Sequence, residues 1–162
     1  MVQTGAREFF ESVREASRDA ESCRRQLEVL ERAAYRLPGP AMEPHISGGS
    51  RDGMERHVVN MVDREAELHA RIEDDYRLID AACAVLYGAD GTRDGLASLA
   101  PPWWADVLYY RFVQGRTWAE VGALLGYSPE YCCRVPATAF DLLDANGMAA
   151  TIAGIGMAEA SA

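Results

Sequence analysis

Apolar residues recur in steps of three and four along the first part of the chain: Val13, Ala16, Ala20, Cys23, Leu27, Leu30, Ala34 and Leu37. Polar and charged residues fill the positions between them. This rhythm places one narrow apolar seam on a helix, as in a coiled coil. It predicts a helix over about residues 7–37, roughly 45 Å long. Three alanines and a cysteine make the seam small, so a neighbouring backbone can approach closely, and Phe9 and Phe10 add bulk at its start. Glu21 with Arg25, and Glu28 with Arg32, have the spacing of i,i+4 ion pairs. Pro38, Gly39, Pro40, Pro44, Gly48, Gly49, Ser50 and Gly53 then predict a loop over 38–53. A second seam follows in Met54, Val58, Met61, Leu68, Ile72, Ile79, Ala82 and Leu86, with Val62, Tyr76 and Cys83 beside it and Glu65 and Asp75 interrupting it. Two long helices on either side of a loop fold back most simply as an antiparallel hairpin. Such a hairpin is either a scaffold alone or a surface whose surplus seam pairs with a second copy or a partner helix.

After Tyr87 the rhythm stops. Gly88, Gly91, Gly95 and the Asp90–Gly91 pair make residues 88–100 a linker, with a short turn of helix near its end. Residues 147–162 are mostly small and read as a flexible tail. Between them, 101–146 reads as three short helices. Pro101 and Pro102 open the first, which carries Trp103, Trp104, Val107, Leu108, Tyr110, Arg111 and Phe112. Gln114–Gly115–Arg116 is a turn. Thr117 followed three residues later by Glu120 is a capping box, and Val121, Leu124 and Leu125 supply the apolar face of the helix it starts. Gly126 ends that helix. Ser128, Pro129 and Glu130 have the chemistry of a third helix start, with Cys132, Val135, Ala139 and Leu142 or Leu143 facing inward. Helix, short glycine-bearing turn, helix is the helix-turn-helix pattern. The expected fold is all-α: a long antiparallel, coiled-coil-like helical hairpin (1–87), a linker, and a small three-helix domain (101–146).

The run GRTWAEVGALLGYSPEYCCRVPATAFDLL, preceded by WWADVLYYRFVQ, resembles region 4 of bacterial sigma factors. It is similar in particular to small phage- and prophage-encoded transcriptional regulators that join a helical hairpin to a sigma-region-4-like helix-turn-helix. The residues carrying the resemblance are Arg111–Phe112, Gly115, Thr117–Trp118, Glu120–Val121, Leu125–Gly126–Tyr127–Ser128, Cys132, Arg134 and Ala139–Phe140, about the last quarter of the chain. The hairpin matches in layout only. The resemblance implies that Pro129, Glu130, Cys133, Arg134 and Ala137 form the outward face of a recognition helix. Glu130 would accept from a cytosine amino group, and Arg134 would reach a guanine edge or a phosphate. Thr117 and Ser128 would meet phosphates. Tyr131 would stack on a sugar or contact the backbone, and Arg116 completes the DNA-binding set.

The chain carries 16 basic residues, all arginine, and 25 acidic ones, a net charge of −9. Taken whole, that balance speaks against an indiscriminate nucleic-acid binder. By segment, −4 falls on residues 54–87 and only −2 on 103–146. Positions often basic in sigma region 4 are here Pro129, Tyr131, Cys133 and Thr138, and Pro136 inside the recognition helix removes a hydrogen bond and predicts a kink. Few phosphate contacts mean weak binding, which dimerisation through the hairpin would strengthen.

Cys23, Cys83, Cys132 and Cys133 show no metal-ligand spacing and read as structural, reduced thiols. His57 and His69, twelve residues apart on one helix, cannot share a metal. No catalytic arrangement stands out. The expectation is therefore a non-enzymatic, cofactor-free, cytoplasmic DNA-binding regulator that engages no membrane, its hairpin making it a homodimer or engaging another protein, with RNA polymerase as the candidate partner. The alternatives are a module that binds polymerase or a sigma factor without DNA contact, and a phage terminase small subunit.

Overall fold

The computed structural model describes residues 5–35, 50–89 and 94–152. They are all-helical, with no strand among the described residues. The helices are α1 (Ala6–Tyr35), α2 (Ser50–Tyr87), α3 (Leu96–Leu99), α4 (Pro102–Leu108), α5 (Trp118–Leu125), α6 (Pro129–Asn146) and α7 (Met148–Ile152). A π-helical turn, Tyr109–Val113, follows α4 directly. Leu37, most of the expected loop, residues 90–93 and the tail beyond Ile152 lie outside the described residues. No helix among the described residues is long and apolar enough to cross a membrane.

The chain divides into two compact units whose border falls within the two long helices, not at 88–100: residues 19–74 form one, and 1–18 together with 75–162 the other. In the 19–74 unit, α1 and α2 pair antiparallel, since Asp19 meets Arg71 and Gln26 Oε1 accepts from Arg64 at 2.8 Å. Cys23, Leu27 and Leu68 are buried between them, with Leu30 and Ile72 packed alongside. The Glu21–Arg25 pair forms at 3.3 Å. Glu28 and Arg32 do not come into ion-pair range. The second seam is buried over only part of its length. Met54 is 57% and Val58 43% exposed, and Val59 and Val62 are exposed as well. The physical reason is the small partner seam. Ala34 is too short to cover Val58, Met61 and Val62, and a groove of about 340 Å³ lies open there, also lined by Leu30, Glu31 and Glu65.

The other unit holds the larger core, built from Phe10, Val13, Ala82, Val85, Leu86, Leu96, Leu108, Phe112, Val121, Val135, Phe140, Leu143 and their neighbours. Phe10 stands at its centre. Its ring lies 5.5 Å from Phe140 and nearly parallel to it, and 5.9 Å from Phe112, edge to face. Phe112 and Phe140 close the triangle at 5.5 Å. One side chain thus joins α1, the π-helical turn and α6. Asp144 of α6 accepts the Ala6 N–H at 2.8 Å, placing a carboxylate at the N-terminal end of α1, where the helix dipole favours it. Tyr87 donates to Asp106 at 2.6 Å, and burial, reinforced by that bond, pushes its phenol far above the ordinary range. The chain after Gly147 begins as a short helix with Thr151 buried, although composition alone suggests a frayed end.

Pro136 does not interrupt α6, which runs as one helix from Pro129 to Asn146. The missing N–H leaves the Cys132 carbonyl without its i+4 donor. The buried Pro136 ring faces the core instead, and apolar contact offsets part of that loss.

Candidate functional site

The site expected from the sequence is the α5–turn–α6 segment. Thr117 starts α5 with a complete capping box: its hydroxyl accepts the Glu120 N–H at 3.2 Å, and Glu120 Oε2 accepts the Thr117 N–H at 2.8 Å. That backbone bond, with help from the Thr117 hydroxyl and Arg116, lowers the Glu120 carboxyl below its ordinary value. A carboxylate with a depressed folded-state pKa stabilises above its unfolded value and loses that contribution as pH falls through the folded value. Glu120→Gln should therefore differ from the parent protein in denaturation at neutral pH and converge with it in strong acid. Thr117→Ala should cost about 1 kcal/mol. A loss below a few tenths in urea titration would remove the cap from the account.

The turn after α5 depends on two glycines with different tasks. Gly126 adopts φ +76°, the left-handed C-cap, with open space around it. Gly122 is helical, but a Cβ there would sit 2.6 Å from the Tyr127 carbonyl oxygen and 3.3 Å from the Pro129 nitrogen. The Gly122 carbonyl accepts both the Gly126 N–H at 2.8 Å and the Tyr127 N–H at 3.0 Å. The chain therefore folds tightly back over Gly122 before α6 begins.

Ser128 caps α6 by accepting the Tyr131 N–H at 3.2 Å, with Pro129 in the first turn. Cys132, Val135, Pro136, Ala139, Phe140 and Leu143 face the core. Pro129, Glu130, Tyr131, Cys133, Arg134 and Ala137 are exposed on the other side. Arg134 forms no ion pair among the described residues. The Cys133 thiol donates to the Glu130 carbonyl at 3.1 Å. The adjacent Cys132 is buried, and burial raises its thiol pKa. Arg116 is exposed, its guanidinium 3.4 Å from Gln114 Oε1 and 4.0 Å from Glu120. Thr117 and Ser128 use their oxygens as acceptors in the caps, but each hydroxyl keeps a proton to donate outward.

Tyr131, exposed on the outward side, also takes part in an aromatic cluster. Its ring stacks on Trp103 at 5.3 Å, and Tyr127 covers the same indole at 4.6 Å. One face of the Tyr131 ring is thus already engaged, while the residue stays half exposed. This three-ring cluster brackets the turn and escapes sequence reading because Trp103 comes from α4. The only sequence signal is the four-residue spacing of Tyr127 and Tyr131 across the Ser128 cap.

Among the described residues, no group of three His, Cys, Asp or Glu side chains could hold a metal ion. Neither the protein-family models, the curated proteins nor the solved structures contain a match to this chain.

Proposed function

We propose that the chain is a DNA-binding transcriptional regulator of the phage or prophage type, in which α5, the Gly126 turn and α6 act as a sigma-region-4-like helix-turn-helix. The observation that carries this reading is the two-sidedness of α6: its inner side is core, while Glu130, Cys133, Arg134 and Ala137 project from its capped N-terminal half. That is the presentation a helix needs to enter a major groove. Arg134 is the guanine or phosphate contact, Glu130 the acceptor for a cytosine amino group, and Pro129 and Ala137 the apolar rim. Thr117, Ser128, Arg116 and Tyr131 serve phosphates and sugars. The exposed Met54, Val58, Val59 and Val62 of the hairpin support its use in dimerisation or in binding a partner such as RNA polymerase, and a dimer would double the few cationic contacts.

The alternative, a polymerase- or sigma-binding module without DNA contact, is favoured by one observation. Leu124, Tyr127 and Tyr131 are 54%, 41% and 50% exposed, an apolar and aromatic surface suited to protein.

Salt-titrated binding to duplex DNA separates the two readings. Arg134→Ala should weaken binding by about 1–3 kcal/mol and relax sequence preference at one position if the contact is to a base, or reduce the salt slope by about 1 if it is to a phosphate. Absence of DNA binding by the parent protein at low salt, together with capture of polymerase, would select the alternative.

A further inference from the structure

The N-terminal half of α2 carries a second apolar stripe, turned away from α1. Leu68, fully buried against α1, marks the paired side. At about 3.6 residues per turn, Val62, Ala66 and Val59 lie roughly 120°, 160° and 180° around the helix from it. All three are exposed, and their three- and four-residue spacing makes them neighbours on one face. Val58, also exposed, borders the stripe and lines the open groove beside Ala34. A helix with apolar seams on two sides needs a second partner for the outer one.

The charges flanking the stripe specify that partner. With Val59 and Val62 at the a and d positions of a heptad, Arg56 and Asp63 both fall at e. In an antiparallel pair, a faces d and e faces e across the seam. A second copy of α2 then lays its Val62 on Val59 and its Val59 on Val62. It also sets its Asp63 against Arg56 and its Arg56 against Asp63, two identical ion pairs related by a two-fold axis. Neither Arg56 nor Asp63 forms an ion pair among the described residues. The spread of acidity along α2 favours the same direction. Residues 54–66 hold three acids and two arginines, whereas 67–87 hold five acids and two arginines. Antiparallel pairing centred between Val59 and Val62 sends the two acidic halves in opposite directions. Parallel pairing would lay them side by side against their mutual repulsion.

We infer that the Val59–Val62–Ala66 stripe is a homodimer interface, in which two α2 helices pair antiparallel and Arg56 of each copy meets Asp63 of the other. The inference rests on the partner-binding role given to the hairpin under the proposed function, and it names that partner as a second copy of the chain.

Sedimentation equilibrium of the full chain over a concentration series should show a reversible dimer. Val62→Arg, at an exposed position, should leave helical content by circular dichroism unchanged and yield a monomer. Asp63→Arg turns both ion pairs into like-charge contacts and should raise the dissociation constant about tenfold. Adding Arg56→Asp to Asp63→Arg exchanges the two signs and should return the constant to its parent value. A monomer at every concentration overturns the inference, as does a dimer indifferent to Val62→Arg. Weakening by Asp63→Arg that the exchange does not repair overturns it as well, because Asp63 would then face some group other than Arg56. If Val62→Arg loses helical content, the charge exchange alone decides. No DNA is present in these measurements, so a failure here is distinct from a failure of the DNA-binding reading, and a dimer repaired by the exchange upholds the interface even if the chain binds no duplex.

Discussion

Replacement of Phe10 by alanine is expected to cost about 3–5 kcal/mol, the range for truncating a fully buried aromatic side chain. Phe10 is fully buried and touches both Phe112 and Phe140. The variant therefore loses apolar burial and two aromatic contacts and leaves a cavity where α1, the π-helical turn and α6 meet. Small domains have only about 5–15 kcal/mol in total, so the melting temperature should fall by on the order of 10 °C. Equilibrium urea denaturation followed by circular dichroism is the direct measurement. A loss below about 1 kcal/mol would mean that the core closes without this ring. Phe9 is the internal control. It neighbours Phe10 in sequence but is only half-buried, and Phe9→Ala should cost clearly less.

The second large effect is expected at Gly122. An alanine there gains up to about 1 kcal/mol of intrinsic helix preference. Its methyl group would also meet the Tyr127 carbonyl at 2.6 Å, a backbone atom that can retreat only if the turn opens. Overpacking of this kind costs about 1–3 kcal/mol, so the balance is a net loss. Opening the turn also swings the start of α6, so under the proposed DNA-binding function Gly122→Ala should reduce DNA affinity by more than its stability loss explains. Gly126→Ala separates the two effects: space there is open, and the cost comes from the left-handed backbone alone, about 1–2 kcal/mol. If Gly122→Ala were as stable as the parent protein and bound DNA equally well, the close approach would have no role in positioning α6.

Much of this architecture is legible in the chain because its signals are local. The 3–4 seam of Val13 to Leu27 becomes a buried stripe, and the Thr117–Glu120 box, the Gly126 stop and the Ser128 cap all form. Each depends on contacts within a few residues, so spacing suffices to find it. The inner face of α6 is also readable, with two additions, Pro136 and Phe140. A proline inside a helix signals a lost hydrogen bond in sequence terms; that α6 runs on through Pro136 with the ring buried is seen only in the structure. Tyr131 illustrates the limit within the candidate site. Its position on an outward helix face follows from periodicity, whereas its stacking on Trp103 requires knowing where α4 lies.

The sequence by itself determined that the protein is helical, where α1, α2, α5 and α6 begin and end to within a few residues, and which side of α6 turns outward. Hydrophobic periodicity and capping chemistry act over a turn or two of chain, and both are written in residue order. Tertiary structure alone decided that the first turns of α1 complete the core around α6, and that the pairing of α1 with α2 leaves Val58 and Val62 uncovered. Those outcomes depend on side-chain volumes meeting across tens of residues, which no local pattern encodes.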